Sequence, residues 1–221
     1  YDKIKKQLLS LEKKYNFLKS EDSPSKIVGF KPSKNFKKVF HRVSMLSLSN
    51  AFSEEDLINF EKKIINFLDE SKSFKIEYSA EPKIDGISAS LIYKKGKFVT
   101  GLSRGDGKEG EDITQNLKTI NDIPKNILAK DFPIEIDIRG EVFIQNKDFE
   151  KLKNKFANPR NAASGSLRQK NPKDTKKIPL KFIAYTYGYE KGIKINKQNE
   201  YLQKLNEWGF KTNPFNKTLQ G

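Results

Sequence analysis

With 221 residues, no cysteine and one histidine (His41), the chain can bury a sizeable core but offers neither disulfide staples nor a thiolate or multi-histidine zinc site. Its formal charge of +15 points to a polyanionic partner, because clustered cations bind phosphate backbones by releasing counterions. No apolar run approaches the roughly 18 residues that cross a bilayer, so a soluble, cytoplasmic protein without membrane contact is expected.

Lysine excess dilutes the charge argument, since only five of the 43 basic residues are arginine and such a bias follows from AT-rich coding. Arg42, Arg104, Arg139, Arg160 and Arg168 therefore weigh more, each retaining a planar fork against that bias.

Ile4, Leu8, Leu11, Tyr15 and Leu18 recur at steps of four and three, which predicts a helix over residues 1–19. Residues 20–38 lose that period and collect Ser, Pro, Gly and Lys, a linker that divides the chain into 1–38 and 39–221. Ser53 with Asp56 makes a capping box, and Leu57, Phe60, Ile64 and Phe67 extend a second helix to about residue 70. From Phe74 the period falls to two, predicting a half-buried strand that runs straight into EPKIDG at 81–86.

Ile87, Ala89 and Leu91 alternate again, KKGK at 94–97 turns the chain, and KFVTGL resumes it, so a hairpin or meander follows. IEIDIRGEVFI and LKFIAYTYGY read as further strands. Short helices are predicted near 112–119, 147–154 and 197–208, the last stopped by Gly209. Helices placed between groups of strands, without strict alternation, indicate an α+β fold with mainly antiparallel sheets.

Extending the strand parity through EPKIDG puts Glu81, Lys83 and Asp85 on one face. An amine attacks only when neutral, and a lysine with the reference pKa near 10.4 is almost wholly protonated at pH 7. Nearby cations and partial desolvation disfavour an ammonium, carboxylates favour it, and the arginines are the counterweight to Glu81 and Asp85. Gly86 marks a place where a ligand or another backbone comes close, and is expected to floor a nucleotide pocket.

K-x-D-G alone is a weak signal in so lysine-rich a chain. It is accompanied, in order, by HRVSMLSLSNAF (41–52), TGLSRGDGKEGEDITQNLKTI (100–120), IRGEVFI (138–144) and FANPRNAASGSLRQ (156–169). Together with EPKIDGISASLIY these segments resemble NAD-dependent DNA ligases of the bacterial type, and the resemblance covers essentially the whole chain. It implies a covalent nucleotidyltransferase (adenylation) fold over 39–221, incomplete at its C-terminus. The end of a small helical domain that binds nicotinamide mononucleotide (NMN) would precede it over 1–38.

The resemblance also implies roles. Lys83 would attack the α-phosphate of NAD, form a lysyl-AMP phosphoamide and release NMN, for later transfer of AMP to the 5′-phosphate of nicked duplex DNA in replication and repair. Glu81 would contact the adenine amino group, Arg104 and Glu141 the ribose and phosphate region, Ser47 and Leu48 the pocket rim, and Tyr1 and Asp2 the NMN moiety. Arg160 and Arg168 would face nucleotide phosphate or nicked DNA. Arg42 and Arg139 fit surface ion pairs better. Magnesium is expected from the family, with no metal-ligand cluster visible, and a location in the bacterial cytoplasm with the nucleoid follows.

The family continues with a second lysine motif, an oligonucleotide-binding barrel, a four-cysteine zinc module and helix-hairpin-helix repeats, which the sequence lacks. A module truncated at both ends, weakly active or inactive alone, is therefore expected. The alternatives are an ATP-dependent nucleotidyltransferase, an inactive fragment that only binds nucleotide or DNA, and a non-enzymatic basic module with an incidental K-x-D-G.

Overall fold

A computed structural model describes residues 2–20, 23, 36–69 and 75–220. Tyr1, Phe74 and most of the predicted linker lie outside them. In chain order the elements are α1 (Asp2–Lys14), a 3-10 turn (Asn16–Leu18), β1 (Lys38–Phe40), α2 (Glu54–Leu68), β2 (Glu77–Ala80), β3 (Ile87–Lys94), β4 (Lys97–Ser103), β5 (Glu109–Glu111) and α3 (Thr114–Leu117). Then follow β6 (Glu135–Phe143), α4 (Asn146–Phe149), α5 (Pro159–Leu167), α6 (Pro172–Lys176), β7 (Lys181–Lys191), α7 (Gln198–Glu207) and β8 (Lys217–Gln220).

Every strand pair is antiparallel, as the α+β reading requires. The main sheet has the order β4-β3-β6-β7, and two small sheets pair β1 with β5 and β2 with β8. The β3–β4 hairpin closes on Lys95 and Gly96, both at positive φ (48° and 74°). This is the two-residue geometry whose twist matches the flanking strands, and glycine adopts it without a Cβ penalty.

β6 is one of the two inner strands and is buried on both faces. Ile136, Ile138 and Val142 pack into one continuous core with Ala89, Leu91 and Tyr93 of β3, Leu117 of α3, Ala162 and Leu167 of α5, and Tyr201 and Leu205 of α7. The opposite face carries Asp137, Arg139 and Glu141, each under 10% exposed. Segment 41–45 covers part of it: Arg42 pairs with Asp137 and with Glu135 at 2.5 Å, and Arg139 donates to the carbonyls of Val43 and Ser44. This polar face of the sheet leads to the site.

The helix caps follow the sequence. Ser53 Oγ accepts from Asp56 N at 3.2 Å, while the Asp56 carboxylate reaches back to Phe52 N at 3.0 Å, so α2 starts where its capping residues place it. Asn158 Oδ1 accepts from Asn161 N at 2.7 Å with Pro159 in the first turn of α5. α7 ends as expected, with Gly209 at φ 90° just beyond it.

Three expectations need correction. The strand before EPKIDG stops at Ala80, so residues 81–86 are extended loop without strict alternation, and Pro82 is exposed. Proline cannot donate a ladder hydrogen bond, which accounts for the break. The helix predicted over 112–119 shrinks to the single turn of α3, and the one over 147–154 to α4 followed by turns. Gly86 does not line an open floor: a Cβ there would lie 2.3 Å from Val142 O and 2.9 Å from Glu141 Cγ, so its bare backbone is needed for contact with β6.

Candidate active site

The loop 81–86 hands the chain from the small β2–β8 sheet to the main sheet, and it is anchored on both sides of Lys83. Upstream, Glu81 Oε1 accepts from Gln198 Nε2 at 2.8 Å and from Ser79 Oγ at 3.2 Å. Pro82 O accepts from the buried Asn213 side chain at 3.5 Å. Downstream, Asp85 Oδ1 pairs with Arg160 Nη1 at 2.9 Å, and Gly86 is pressed against β6. Lys83 itself is exposed and makes no hydrogen bond or ion pair with any described residue.

Asp85, the carboxylate two residues from the amine, is engaged in an exposed ion pair with Arg160 at the start of α5.

Behind the loop lies Glu141 on β6, 7% exposed, accepting from Ser88 Oγ of β3 at 2.9 Å. Burial pushes its carboxyl above the usual range; the Ser88 hydrogen bond and the charges of Lys83, Arg160 and Arg104 act in the opposite direction. Three cations that the sequence singled out therefore converge electrostatically on one buried acid. Of the five arginines, all described, Arg104 is the one whose guanidinium has no acceptor among the described residues. It sits half-buried in the turn after β4, where its own carbonyl lies 3.1 Å from His41 Nε2.

Other expected residues lie differently. Ser47 and Leu48 are exposed in an irregular stretch, Leu48 at 78%. Arg168 caps the far end of α5 and pairs through Nε with the fully buried Glu111 at 2.9 Å, so the two arginines of NPRNAASGSLR occupy opposite ends of one helix. Arg42 is in ion pairs, as expected, and also stacks 4.0 Å over the Tyr189 ring. Arg139 is no surface residue: it is 9% exposed and its two Nη groups serve backbone carbonyls, with burial holding its pKa below the usual value. Tyr1 and the Asp2 side chain lie outside the described residues.

Four contributors escaped the sequence reading. Ser88 and Tyr185 flank Glu141, and burial pushes the Tyr185 hydroxyl up, with the Glu141 charge adding to the effect. Gln198 and Asn213 hold the loop that carries Lys83 from a distant part of the chain. A polar residue opening a helix gives no signal of this; only the fold brings it to Glu81.

The comparisons with known proteins bear on the same residues. The sequence pattern of the family described as NAD-dependent DNA ligase adenylation domain matches residues 33–221. The chain belongs to that family. It is 70% identical, over its whole length, to a curated DNA ligase from Pelagibacter ubique, of which it covers 33%. It is 46% identical to a DNA ligase from Parvibaculum lavamentivorans and 45% identical to one from Mesorhizobium japonicum, in each case over 97% of this chain. The chain thus spans about a third of the length of the curated relatives it matches. The adenylation-domain match includes every candidate site residue from β1 onward, with Lys83, Arg104, Glu141 and Arg160 all inside it.

Proposed function

We propose that this chain is the adenylation module of an NAD-dependent DNA ligase and that Lys83 is its nucleophile. The observation that carries this reading is an exposed amine without a pairing partner among the described residues, in a loop whose neighbours on both sides are fixed. Neutral Lys83 Nζ attacks the α-phosphorus of NAD. A P–N bond forms as the P–O bond to NMN breaks, the electron pair leaves with the NMN phosphate, and the new phosphoamide nitrogen gives up a proton to solvent. The AMP is then passed to the 5′-phosphate at a nick in duplex DNA.

Around that step, Glu81 takes the adenine amino group through its open Oε2, and Arg104, with no competing acceptor, takes phosphate. Glu141 accepts from the ribose, Ser47 and Leu48 form the rim, and Tyr1 and Asp2 meet the NMN moiety. Arg160 and Arg168 reach nucleotide phosphate or DNA from the two ends of α5, each keeping more than a third of its side chain exposed despite its ion pair. Magnesium is expected from the family; among the described residues no three His, Cys, Asp or Glu side chains gather to hold it. No helix among the described residues is long and apolar enough to cross a membrane, and we place the protein in the bacterial cytoplasm with the nucleoid.

Intact mass after incubation with NAD and magnesium, beside ATP and beside Lys83→Ala, tests the reading on the full-length protein. One added AMP, dependent on NAD and lost in the variant, is the expected result. Adduct formed equally from ATP, or retained by Lys83→Ala, overturns it. Repeated on residues 1–221 alone, the same measurement shows whether the module reacts without the rest of the protein; weak or absent labelling is expected there.

A further inference from the structure

We infer that Gln198 is a positioning residue for purine recognition: it orients the Glu81 carboxylate so that one oxygen is committed to the protein and the other is left for the nucleotide base. This rests on the reading of Glu81 as the contact to the adenine amino group.

Gln198 opens α7, and its side-chain nitrogen donates twice, to Glu81 Oε1 at 2.8 Å and to the carbonyl of Tyr185 on β7 at 2.7 Å. Both partners are acceptors without a proton to give, so the amide nitrogen, with two hydrogens, must face them, and this chemistry assigns its orientation. Ser79 Oγ adds a third constraint by donating to the same Oε1 at 3.2 Å. Glu81 Oε2 has no partner among the described residues.

A carboxylate fixed through one oxygen presents its second oxygen in one direction, as an acceptor only. Such a group favours a base that offers N–H over one that offers a carbonyl oxygen, which would meet it lone pair to lone pair. By bonding to β7 as well, Gln198 fixes that acceptor relative to the main sheet, where Ser88 and Glu141 lie. Loss of Gln198 leaves Glu81 in place but held through Oε1 only by the longer Ser79 hydrogen bond.

The test compares NAD with its deamino analogue, whose purine carries a 6-oxo group, as substrates for lysine adenylation by the full-length ligase. In Gln198→Met, kcat/KM for NAD is expected to fall about tenfold, the order of one hydrogen bond to a charged group. The analogue loses less than about twofold on the same scale, so the preference for NAD shrinks. Gln198→Glu, nearly the same size but repelling Glu81, is expected to shrink the preference further. Because preference is a ratio within one protein, partial loss of folded material does not move it.

Equal losses for both nucleotides, or an unchanged preference in both variants, overturn the role of Gln198. Glu81→Gln separates the two levels of the argument. If it abolishes the preference while the Gln198 variants keep it, Glu81 reads the base and Gln198 does not position it. If Glu81→Gln leaves the preference intact, the reading of Glu81 fails and the inference about Gln198 falls with it.

Discussion

Glu141 and His41 couple stability to pH in opposite senses. Burial raises the Glu141 carboxyl above its usual 4.5, the Ser88 hydrogen bond and the charges of Lys83, Arg160 and Arg104 opposing it. The folded protein binds that proton more readily than the unfolded chain does. Its contribution to stability is therefore whole below pH 4.5 and is lost as pH rises through the folded value. Glu141→Gln removes the loss while keeping an acceptor for Ser88. The variant should melt above the parent at pH 7 and lose that advantage below pH 4.5, while adenylation falls by about tenfold or more. A lower melting temperature at pH 7 would count against the argument.

His41 behaves in the reverse sense. Burial lowers it from its usual 6.5 and the Arg139 charge adds to that, against the carbonyls of Arg104 and Ser103 and the charge of Asp137. Its share of stability is present above pH 6.5 and lost as pH falls through the folded value. His41→Gln should flatten the thermal-stability profile on the acid side of 6.5 and leave the Glu141 limb unchanged.

At the scale of elements, the β3–β4 hairpin, the 120–133 connection and α7 meet in an aromatic cluster. Tyr93 lies 5.4 Å from Phe98, 5.7 Å from Phe132 and 5.6 Å from Phe210, ring centre to ring centre, and Phe132 packs edge-on to Trp208 at 4.9 Å. Trp208 is 3% exposed just after α7, so truncation leaves a cavity between helix and sheet. Trp208→Ala should cost about 3–5 kcal/mol, read from urea denaturation. Because α7 also delivers Gln198 to Glu81, the variant should weaken NAD use before it unfolds the domain. A cost under about 1 kcal/mol would mean that the cluster collapses around the gap.

For the whole molecule, if nicked duplex DNA is the substrate as proposed, the +15 charge of these 221 residues would attract it regardless of sequence, and salt dependence separates that attraction from specific contacts. Binding of nicked duplex by the full-length protein should weaken linearly in log K against log salt. If Arg160 meets a DNA phosphate, Arg160→Ala reduces the slope by about one unit. If it serves only Asp85 and the nucleotide, the slope holds and the KM for NAD rises instead. Arg104→Ala, removing the arginine without an acceptor among the described residues, should raise that KM and leave the slope unchanged.

Much of the molecule can be read directly from the chain. Alternation marks β3, further extended stretches mark β4, β6 and β7, the KKGK segment marks the hairpin turn, and Ser53 and Gly209 mark helix ends, whereas α5 was not among the predicted helices. These signals are local: a strand's period, a turn's φ and a cap's hydrogen bond are all settled within a few residues. The K-x-D-G lysine and its carboxylate neighbours are legible for the same reason.

What the chain could not reveal by itself was who meets whom. β1, β5 and β8 are three or four residues long, too short to show a period, and exist because distant partners supply their hydrogen bonds. Arg139 looked like a surface cation until segment 41–45 laid its carbonyls across it. Gln198 stands 117 residues from Glu81, and no pattern links them. Local chemistry marked Lys83 as the proposed nucleophile; closure of long loops, whose free energy depends on the whole packed core, chose the groups that hold its neighbours in place.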